Sequence, residues 1–422
     1  MPPVGWERTF VRQAIHRRAF AEQTVMSPGL RGGPAVHAGR ERLIRLTLVA
    51  SGLLTTFGFF AISAVLPRIE SSFSSDPHAA LLTSFLPGGT ALAFAASAPL
   101  IGSLIDRYGW PLVYTASLVI LALVGMASGF MPSLESLIAL RLVTGVAISG
   151  VANAGSAGIG ATSDTERPRL YGIQALLGGA AGIPLFPVTG LIAEQFGWRW
   201  VFSVYVVALP FAALCVILLR STSLAAHRAQ AATLASARVP PRLLMLGAFM
   251  GLAMFSGTTL MPFATREIGI TNSATISIPL MAMALVSLLG SGGYGAVERR
   301  FGLRGVFAIA LGAIGLGLLL AGVAQTLVVL AVANAILGVG LGLLMPNLFA
   351  AGAAACPDAR GRALSLIAAA IYGVQALLPF GLLPLSRQIG LAGTFLSAGA
   401  AAYALAMSFL LVGRRRSTPV SA

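Results

Sequence analysis

Lysine is absent from this 422-residue chain, and acidic residues are scarce. All 28 basic residues are arginine, only 13 residues are Asp or Glu, and the net charge is +15. Charged residues make up 10% of the chain, whereas an ordinary globular protein has about 25%. Because so few charges cannot cover the surface of a soluble fold, most of the chain must have lipid as its solvent.

Cysteine and histidine are also rare, which removes most kinds of catalytic and metal chemistry. Cys215 and Cys356 lie in or beside apolar runs and show no metal-binding or redox spacing. The four histidines lie outside the apolar runs, and no phosphate-binding glycine loop is visible. We therefore expect no enzyme, no ATP-driven pump, and no metal or cofactor. The basic residues are scattered between apolar runs, which argues against a nucleic-acid partner.

What is abundant is apolar sequence, 57% of the chain, in runs long enough for a bilayer. A helical span takes about 20 apolar residues, and on that basis we predict an all-α membrane protein with twelve spans. They lie near residues 46–67, 80–103, 111–131, 133–152, 170–193, 199–219, 242–263, 275–296, 304–324, 326–349, 362–385 and 391–412.

The remaining segments set the domain boundaries. Residues 1–45 carry eight arginines and are expected to be a disordered cytosolic extension, with Met26 as an alternative start. Six spans each fall within 46–219 and 242–412, joined by a cytosolic linker over 220–241. A cytosolic tail over 413–422 follows the last span.

Arginine placement predicts the orientation. If both termini and the even-to-odd loops share one side, that side holds every arginine except Arg68, Arg141, Arg199, Arg266 and Arg387. The positive-inside rule then places both termini in the cytoplasm, and we expect a multi-pass protein of a bacterial cytoplasmic (inner) membrane.

The two halves match at one constant shift of the numbering. The matching pairs are Gly102 and Gly295, Arg107 and Arg300, Gly109 and Gly302, Gly145 and Gly338, Arg167 and Arg360, Arg169 and Arg362, Gly197 and Gly390, and Phe202 and Phe395. Such a duplication predicts two six-helix bundles with a substrate site between them near the bilayer midplane. Rocking of one bundle against the other then exposes the site to each side in turn.

The loop after the second span carries a family resemblance. Its sequence, Gly102-Ser-Leu-Ile-Asp106-Arg107-Tyr-Gly109, resembles the G-x-L-x-D-R-x-G signature of the major facilitator superfamily, and 295–302 repeats it. The resemblance covers roughly residues 45–412. It implies two six-helix bundles related by pseudo-two-fold symmetry, and secondary transport that is driven by a proton gradient without a cofactor.

The same resemblance assigns a conformational latch. It implies that Gly102, Asp106, Arg107 and Gly109 form the latch loop, with Arg362 near the helix start that the carboxylate faces. An opposing interpretation is simple charge at the membrane boundary. The usual following basic residues are missing, since Trp110 and Pro111 stand there.

Arg141 is the one arginine placed inside a span. It lies about 12 Å deep at about 1.5 Å per residue, where a charge costs several kcal/mol unless it finds water or a partner. Arg141 and Gly145 resemble the family's R-x-x-x-G motif, which implies proton coupling. The alternative is an arginine that snorkels or donates to backbone carbonyls of a neighbouring helix. Asn334 is its counterpart in the repeat.

The fifth span partly resembles the family's antiporter motif. Gly182, Pro187 and Gly190 fit that motif, while Phe186 and Leu191 replace two of its glycines. The resemblance favours export by proton antiport, and ordinary packing of small residues is the alternative.

Few side chains within the spans are suited to a central cavity. The candidates are Thr55, Gln174, Met254, Asn334, Tyr372 and Gln375. No span carries a central carboxylate, so no proton carrier is identified. We predict a monomeric transporter in the lipid bilayer that exports a small apolar or amphiphilic molecule in exchange for protons. The alternatives are proton-coupled uptake of a small organic anion, with Arg141 as counter-charge, and a membrane sensor that does not transport.

Overall fold

The computed structural model describes residues 34–163, 165–219, 239–356 and 360–414, and all regular structure in these ranges is helical. The α-helices, in chain order, are α1 (Pro34–Phe60), α2 (Leu66–Ser72), α3 (Ala79–Tyr108), α4 (Trp110–Ala127), α5 (Leu134–Gly160), α6 (Arg167–Phe196), α7 (Ala208–Leu219), α8 (Pro241–Phe255), α9 (Met261–Glu267), α10 (Ser273–Gly322), α11 (Leu327–Ala355) and α12 (Arg360–Arg414). A 3-10 segment, Trp198–Val207, precedes α7, and a π-helical segment, Ser256–Leu260, joins α8 to α9.

The helices have the length and composition of membrane spans. Within the described ranges, 10 stretches are long and apolar enough to cross a bilayer, which confirms the prediction of an all-α, multi-pass membrane protein. The longest helix, α10, has 50 residues; unbroken, it would measure about 75 Å, far more than the roughly 30 Å of a bilayer core. Its backbone is non-helical at Gly302, and that of α12 is non-helical at Gly390. The number twelve stays a prediction.

The tight corners of the chain reproduce the duplication. Gly109 and Gly302 have φ values of 82° and 65°, and Gly197 and Gly390 have values of 90° and 75°. L side chains rarely adopt a positive φ, so glycine is required where one helix turns directly into the next. Since both pairs match between the halves, the two bundles share their corners as well as their sequence pattern.

Each half also buries its own apolar core. One cluster of buried side chains is drawn from residues 54–215 and the other from residues 239–406. Tyr372, from the second half, packs at the edge of both clusters. The cores therefore belong to two related bundles, as the resemblance to the major facilitator superfamily implies.

Helix boundaries differ from the sequence prediction at the start of the chain. Helix α1 begins at Pro34, so residues 34–45 are helical rather than part of an extension. Arg45 pairs with Glu166 at 2.8 Å. Arginine favours helix, so the helix continues beyond the apolar run. The linker over 220–238 and the residues 1–33 and 415–422 lie outside the described part of the chain, and α8 begins at Pro241.

Candidate functional site

Arg141 is the most deeply buried charge of the described structure. It lies on α5 with 0% of its surface exposed. Its Nη1 donates to the Tyr205 hydroxyl at 2.5 Å, and its Nη2 donates to the Gly58 carbonyl at 3.1 Å. Tyr205 in turn donates to the same carbonyl at 3.2 Å. The guanidinium thus joins three membrane segments of one half, and its Nε has no hydrogen-bond partner among the described atoms.

The environment of Arg141 supplies hydrogen bonds but no opposite charge. None of the ion pairs among the described side chains involves it. A buried cation without a carboxylate keeps much of its desolvation cost. The contact with Gly58 matches the alternative in which the arginine bonds a neighbouring helix. The charge itself is not accounted for by packing, so the two interpretations both remain.

Asn334 occupies the equivalent position in the second half. Its Nδ2 donates to the Gly257 carbonyl at 3.2 Å and to the Pro279 carbonyl at 3.0 Å. Like Arg141, it therefore ties its helix to the first helix of its own half. A neutral amide is sufficient for that structural task, so the positive charge at Arg141 is specific to the first half.

Gly145 lets α5 approach α3 backbone to backbone. A Cβ at this position would overlap the Thr90 carbonyl oxygen and lie 2.8 Å from the Ala93 Cβ. Because backbone atoms cannot rotate away, any side chain here has to push the helices apart. Gly145 is thus required by packing, one turn from Arg141.

Replacing Gly145 by alanine is expected to lower the free energy of unfolding by about 1–3 kcal/mol through overpacking. The matched control is Gly102→Ala, because a Cβ at Gly102 meets nothing within 4 Å and alanine is the better helix former. Thermal unfolding of the purified variants measures both. Equal stability of the two variants would contradict the close approach.

The loop of the predicted latch lies at one end of the bundle, which we call the Asp106 end. Gly109 ends α3, and Asp106 and Arg107 lie exposed on its last turn. Arg107 lies over the ring of Tyr108 at 5.2 Å. Among the described side chains, Asp106 makes no ion pair. The side chain of Arg362 lies outside the described part, so its predicted role in the latch stays a prediction.

The antiporter-motif helix, α6, packs against α10 of the other half. A Cβ on Gly190 would lie 2.7 Å from the Ser273 carbonyl oxygen, and one on Gly182 would lie 3.0 Å from the Ala284 Cβ. Pro187 lies between these two glycines within α6. A Cβ added at Gly172, which lies nearer the other end of α6, would meet no atom within 4 Å. The small residues of the motif thus form a contact between the halves that does not include Gly172.

An aromatic cluster joins the halves near the middle of the spans Gly39–Ser72 and Ala79–Tyr108. The Tyr372 ring of α12 stacks on Phe59 of α1 at 5.4 Å and meets Phe94 of α3 edge-on at 5.2 Å. Phe59 and Phe94 also contact each other at 5.1 Å. Phe60 and Phe186 continue the cluster within the first half. We call these five rings the aromatic cluster.

The candidate cavity residues are not brought together. Gln174 donates to the hydroxyls of Ser51 and Ser156 within the first half, and Thr55 donates to the Ser51 carbonyl. Met254 is half-buried and packs against the core of the second half.

Two residues of α12 lie where the halves meet. Tyr372 belongs to the aromatic cluster. Gln375 is 3% exposed, and its Oε1 has no hydrogen-bond partner among the described atoms. Its backbone carbonyl lies against Gly88 of α3. Tyr372 and Gln375 are thus the cavity candidates placed at the contact between halves, whereas Gln174 and Asn334 bond inside their own halves.

Sequence reasoning did not single out Tyr205, Phe59, Phe60 or Phe94, and it noted Phe186 only as a departure from the antiporter motif. Tyr205 is a polar group within an apolar run, which was the available signal. The phenylalanines carry no such signal, because buried aromatic residues are common in any core.

The fold and these contacts define a multi-pass helical membrane protein of two related halves. The sequence pattern of the Major Facilitator Superfamily matches residues 48–379. The chain belongs to this superfamily of transporters.

Relatives come from both bacteria and fungi. The chain is 30% identical over 167 residues to an MFS-type transporter of Aspergillus terreus, which covers 39% of this chain and 30% of that protein. It is 26% identical over 198 residues to the methylenomycin A resistance protein of Streptomyces coelicolor, which covers 45% of this chain and 40% of that protein. The matches thus span well under half the length of these relatives.

Solved structures share the fold over most of the chain. A POT family transporter in complex with 5-aminolevulinic acid has a TM-score of 0.71 at 12% identity, covering 94% of this chain and 99% of that one. A D-xylose–proton symporter has a TM-score of 0.69 at 14% identity, covering 87% of this chain and 96% of that one.

Proposed function

We propose that this transporter exports a small apolar or amphiphilic compound in exchange for protons. The observation that carries the proposal is the aromatic cluster, which brings rings of both halves together near mid-span. Aromatic rings bind other flat apolar groups through stacking and large buried area. The acidic residues of the described ranges lie near helix ends, in loops or, for Glu298, one turn before the break of α10 at Gly302, so a cationic substrate would find no described carboxylate beside the aromatic cluster.

The uptake of an organic anion is less well supported. That alternative uses Arg141 as the counter-charge for the substrate. Arg141 is fully buried and already engaged by Tyr205 and Gly58 inside the first half. A substrate anion would therefore have to open the packing of the first half to reach the guanidinium, which has 0% of its surface exposed. The name of the Streptomyces coelicolor resistance protein also supports export, as does the match of α6 to the antiporter motif.

The arginine distribution supports a proposed orientation. With both termini in the cytoplasm, the Asp106 end faces the cytoplasm. The opposite end carries Glu194, in the last turn of α6, together with Arg68 and Arg266; we call it the Glu194 end, and it faces outward. We place the protein in a bacterial cytoplasmic membrane, as a monomer without a cofactor.

Transport into everted membrane vesicles tests the direction and the coupling. With an imposed pH gradient, acid inside, we expect vesicles containing the protein to accumulate a neutral fluorescent aromatic probe. A protonophore should abolish the accumulation. A permanently cationic probe of the same ring size should be transported at least about tenfold less, because the site offers it no carboxylate.

The alternatives give different results in the same assay. Uptake of a small carboxylic acid by right-side-out vesicles under an inward proton gradient, without loss of any compound from loaded cells, would establish uptake instead. A protein that moves no member of the panel in either direction would support the membrane sensor.

A further inference from the structure

The Glu194 end is closed by contacts that cross from one half to the other. Glu194 lies in the last turn of α6, and its Oε2 accepts a hydrogen bond from the backbone N–H of Ser273 at 3.0 Å. Ser273 is the first residue of α10, in the second half. The same oxygen accepts from Arg68 Nη2 at 2.6 Å, and Arg68 Nη1 donates to the Ala193 carbonyl at 2.7 Å. One carboxylate is therefore shared between a cation of its own half and a helix start of the other.

A second contact crosses in the opposite direction. Arg266, in the last turn of α9, donates from Nη1 to the Pro67 carbonyl at 2.9 Å. Pro67 lies in the first turn of α2, next to Arg68. Each half thus supplies a charged side chain that binds the backbone of the other half, and both contacts lie at the same end.

The charge of Glu194 suits its position. The start of an α-helix carries unpaired N–H groups and a partial positive charge, which favour a carboxylate. Hydrogen bonds between an ionised group and a neutral donor are stronger than neutral ones. Gly190, one turn before Glu194, lets the α10 backbone come close enough for this contact.

The opposite end shows the reverse situation. Asp106 lies in the last turn of the 30-residue helix α3 and therefore about 40 Å from the start of that helix. Asp106 is exposed and makes no ion pair with a described side chain. Near that end, a Cβ added at position 102, 172, 292 or 293 would meet no atom within 4 Å. Contacts between the halves are thus described at the Glu194 end, whereas no atom packs against these four positions.

We propose that Glu194, assisted by Arg68 and Arg266, is a second latch, which closes the Glu194 end and has to open once in every transport cycle. The proposal rests on the alternating access of the proposed function. It assigns opposite ends to the two acids: Glu194 holds the state described here, and Asp106 is left to hold the opposite state. Loss of the Glu194 side chain is then expected to increase the population that is open at the Glu194 end, and this shift does not require a transported compound.

Distances between spin labels across the Glu194 end test the latch directly. The labels are placed at Ser74→Cys and Thr271→Cys, which are exposed and lie in different halves. Cys215 and Cys356 are replaced by alanine. In the full-length protein, Glu194→Ala is expected to raise the long-distance population about fivefold. Glu194→Gln keeps an acceptor for the Ser273 N–H and should raise the long-distance population less. Arg266→Met removes only the contact with Pro67 and should also raise this population.

The matched control is Glu135→Gln. Glu135 is an exposed acid in the first turn of α5, in the first half, and makes no described contact with the other half. The Glu135→Gln substitution removes one negative charge, as Glu194→Gln does, and its distance distribution should stay the same as that of the parent protein. Unchanged distributions in both Glu194→Ala and Arg266→Met, in protein that elutes as a single folded species, would overturn the latch.

The measurement separates the latch from the proposed function. It uses no substrate, so a shift in distance supports the latch even if no compound of the panel is transported. Conversely, export of the neutral probe with no change of distance in the Glu194 and Arg266 variants would retain the proposed function and eliminate the latch.

Discussion

Replacing Arg141 by methionine is expected to abolish proton-coupled transport while leaving the protein at least as stable as the parent. Methionine fills much of the volume of arginine without its charge. A buried charge that lacks an opposite charge is costly, and apolar replacements of similar volume are often neutral or stabilising. A loss of transport of at least about a hundredfold is expected if the guanidinium takes part in proton coupling. Probe accumulation in vesicles and thermal unfolding of the purified protein measure the two effects.

Tyr205→Phe separates the two interpretations of Arg141. It keeps the charge and the ring but removes the acceptor of the 2.5 Å hydrogen bond. Leaving a buried donor unpaired costs about 1–3 kcal/mol, so this variant should be less stable than Arg141→Met. If Arg141→Met instead loses stability and transport together, Arg141 is a structural residue. Normal transport by Arg141→Met would remove it from the mechanism.

The sequence located Arg141 because a charge inside an apolar run is a local signal. Its partners could not be predicted in the same way. Tyr205 is 64 residues away and Gly58 is 83 residues away, so only the packing of the helices brings them together. The same reasoning explains why parts of the fold could be predicted from the sequence. Apolar runs and the glycine corners at Gly109 and Gly302 are properties of short segments, and they repeat between the halves.

Polar residues within the spans were harder to interpret. A side-chain amide in lipid needs a hydrogen-bond partner, and a neighbouring helix supplies one as well as a substrate does. Gln174 and the Nδ2 of Asn334 bond to such neighbours and are therefore engaged inside their own halves, whereas the Oδ1 of Asn334 has no hydrogen-bond partner among the described atoms. Within the apolar part of the spans, the contacts between halves depend instead on apolar rings and glycines, and the charged contacts lie at the Glu194 end. Phe59 and Gly190 resemble ordinary packing residues until the opposing helix is known.

Replacing Gly190 by leucine is expected to prevent the two halves from closing at the Glu194 end. The three atoms nearest to a Cβ at this position belong to Ser273 and Ala274 of the other half. The cost of the larger side chain therefore falls on the contact between halves rather than on the core of the first half. A transporter that cannot close one end cannot complete its cycle, so probe accumulation should fall at least about tenfold, while a modest change of about 1 kcal/mol in unfolding free energy is expected.

Gly172→Leu is the matched control for this prediction. It introduces the same side chain on the same helix, where nothing lies within 4 Å of the added Cβ. Its transport and its spin-label distances at the Glu194 end should stay close to those of the parent, whereas Gly190→Leu should show the longer distance even with Glu194 intact. Because Gly190→Leu leaves the charges of the latch in place, it separates the steric requirement for closure from the electrostatic one. Equal transport by the two leucine variants would show that the cycle does not need the contact of α6 with α10.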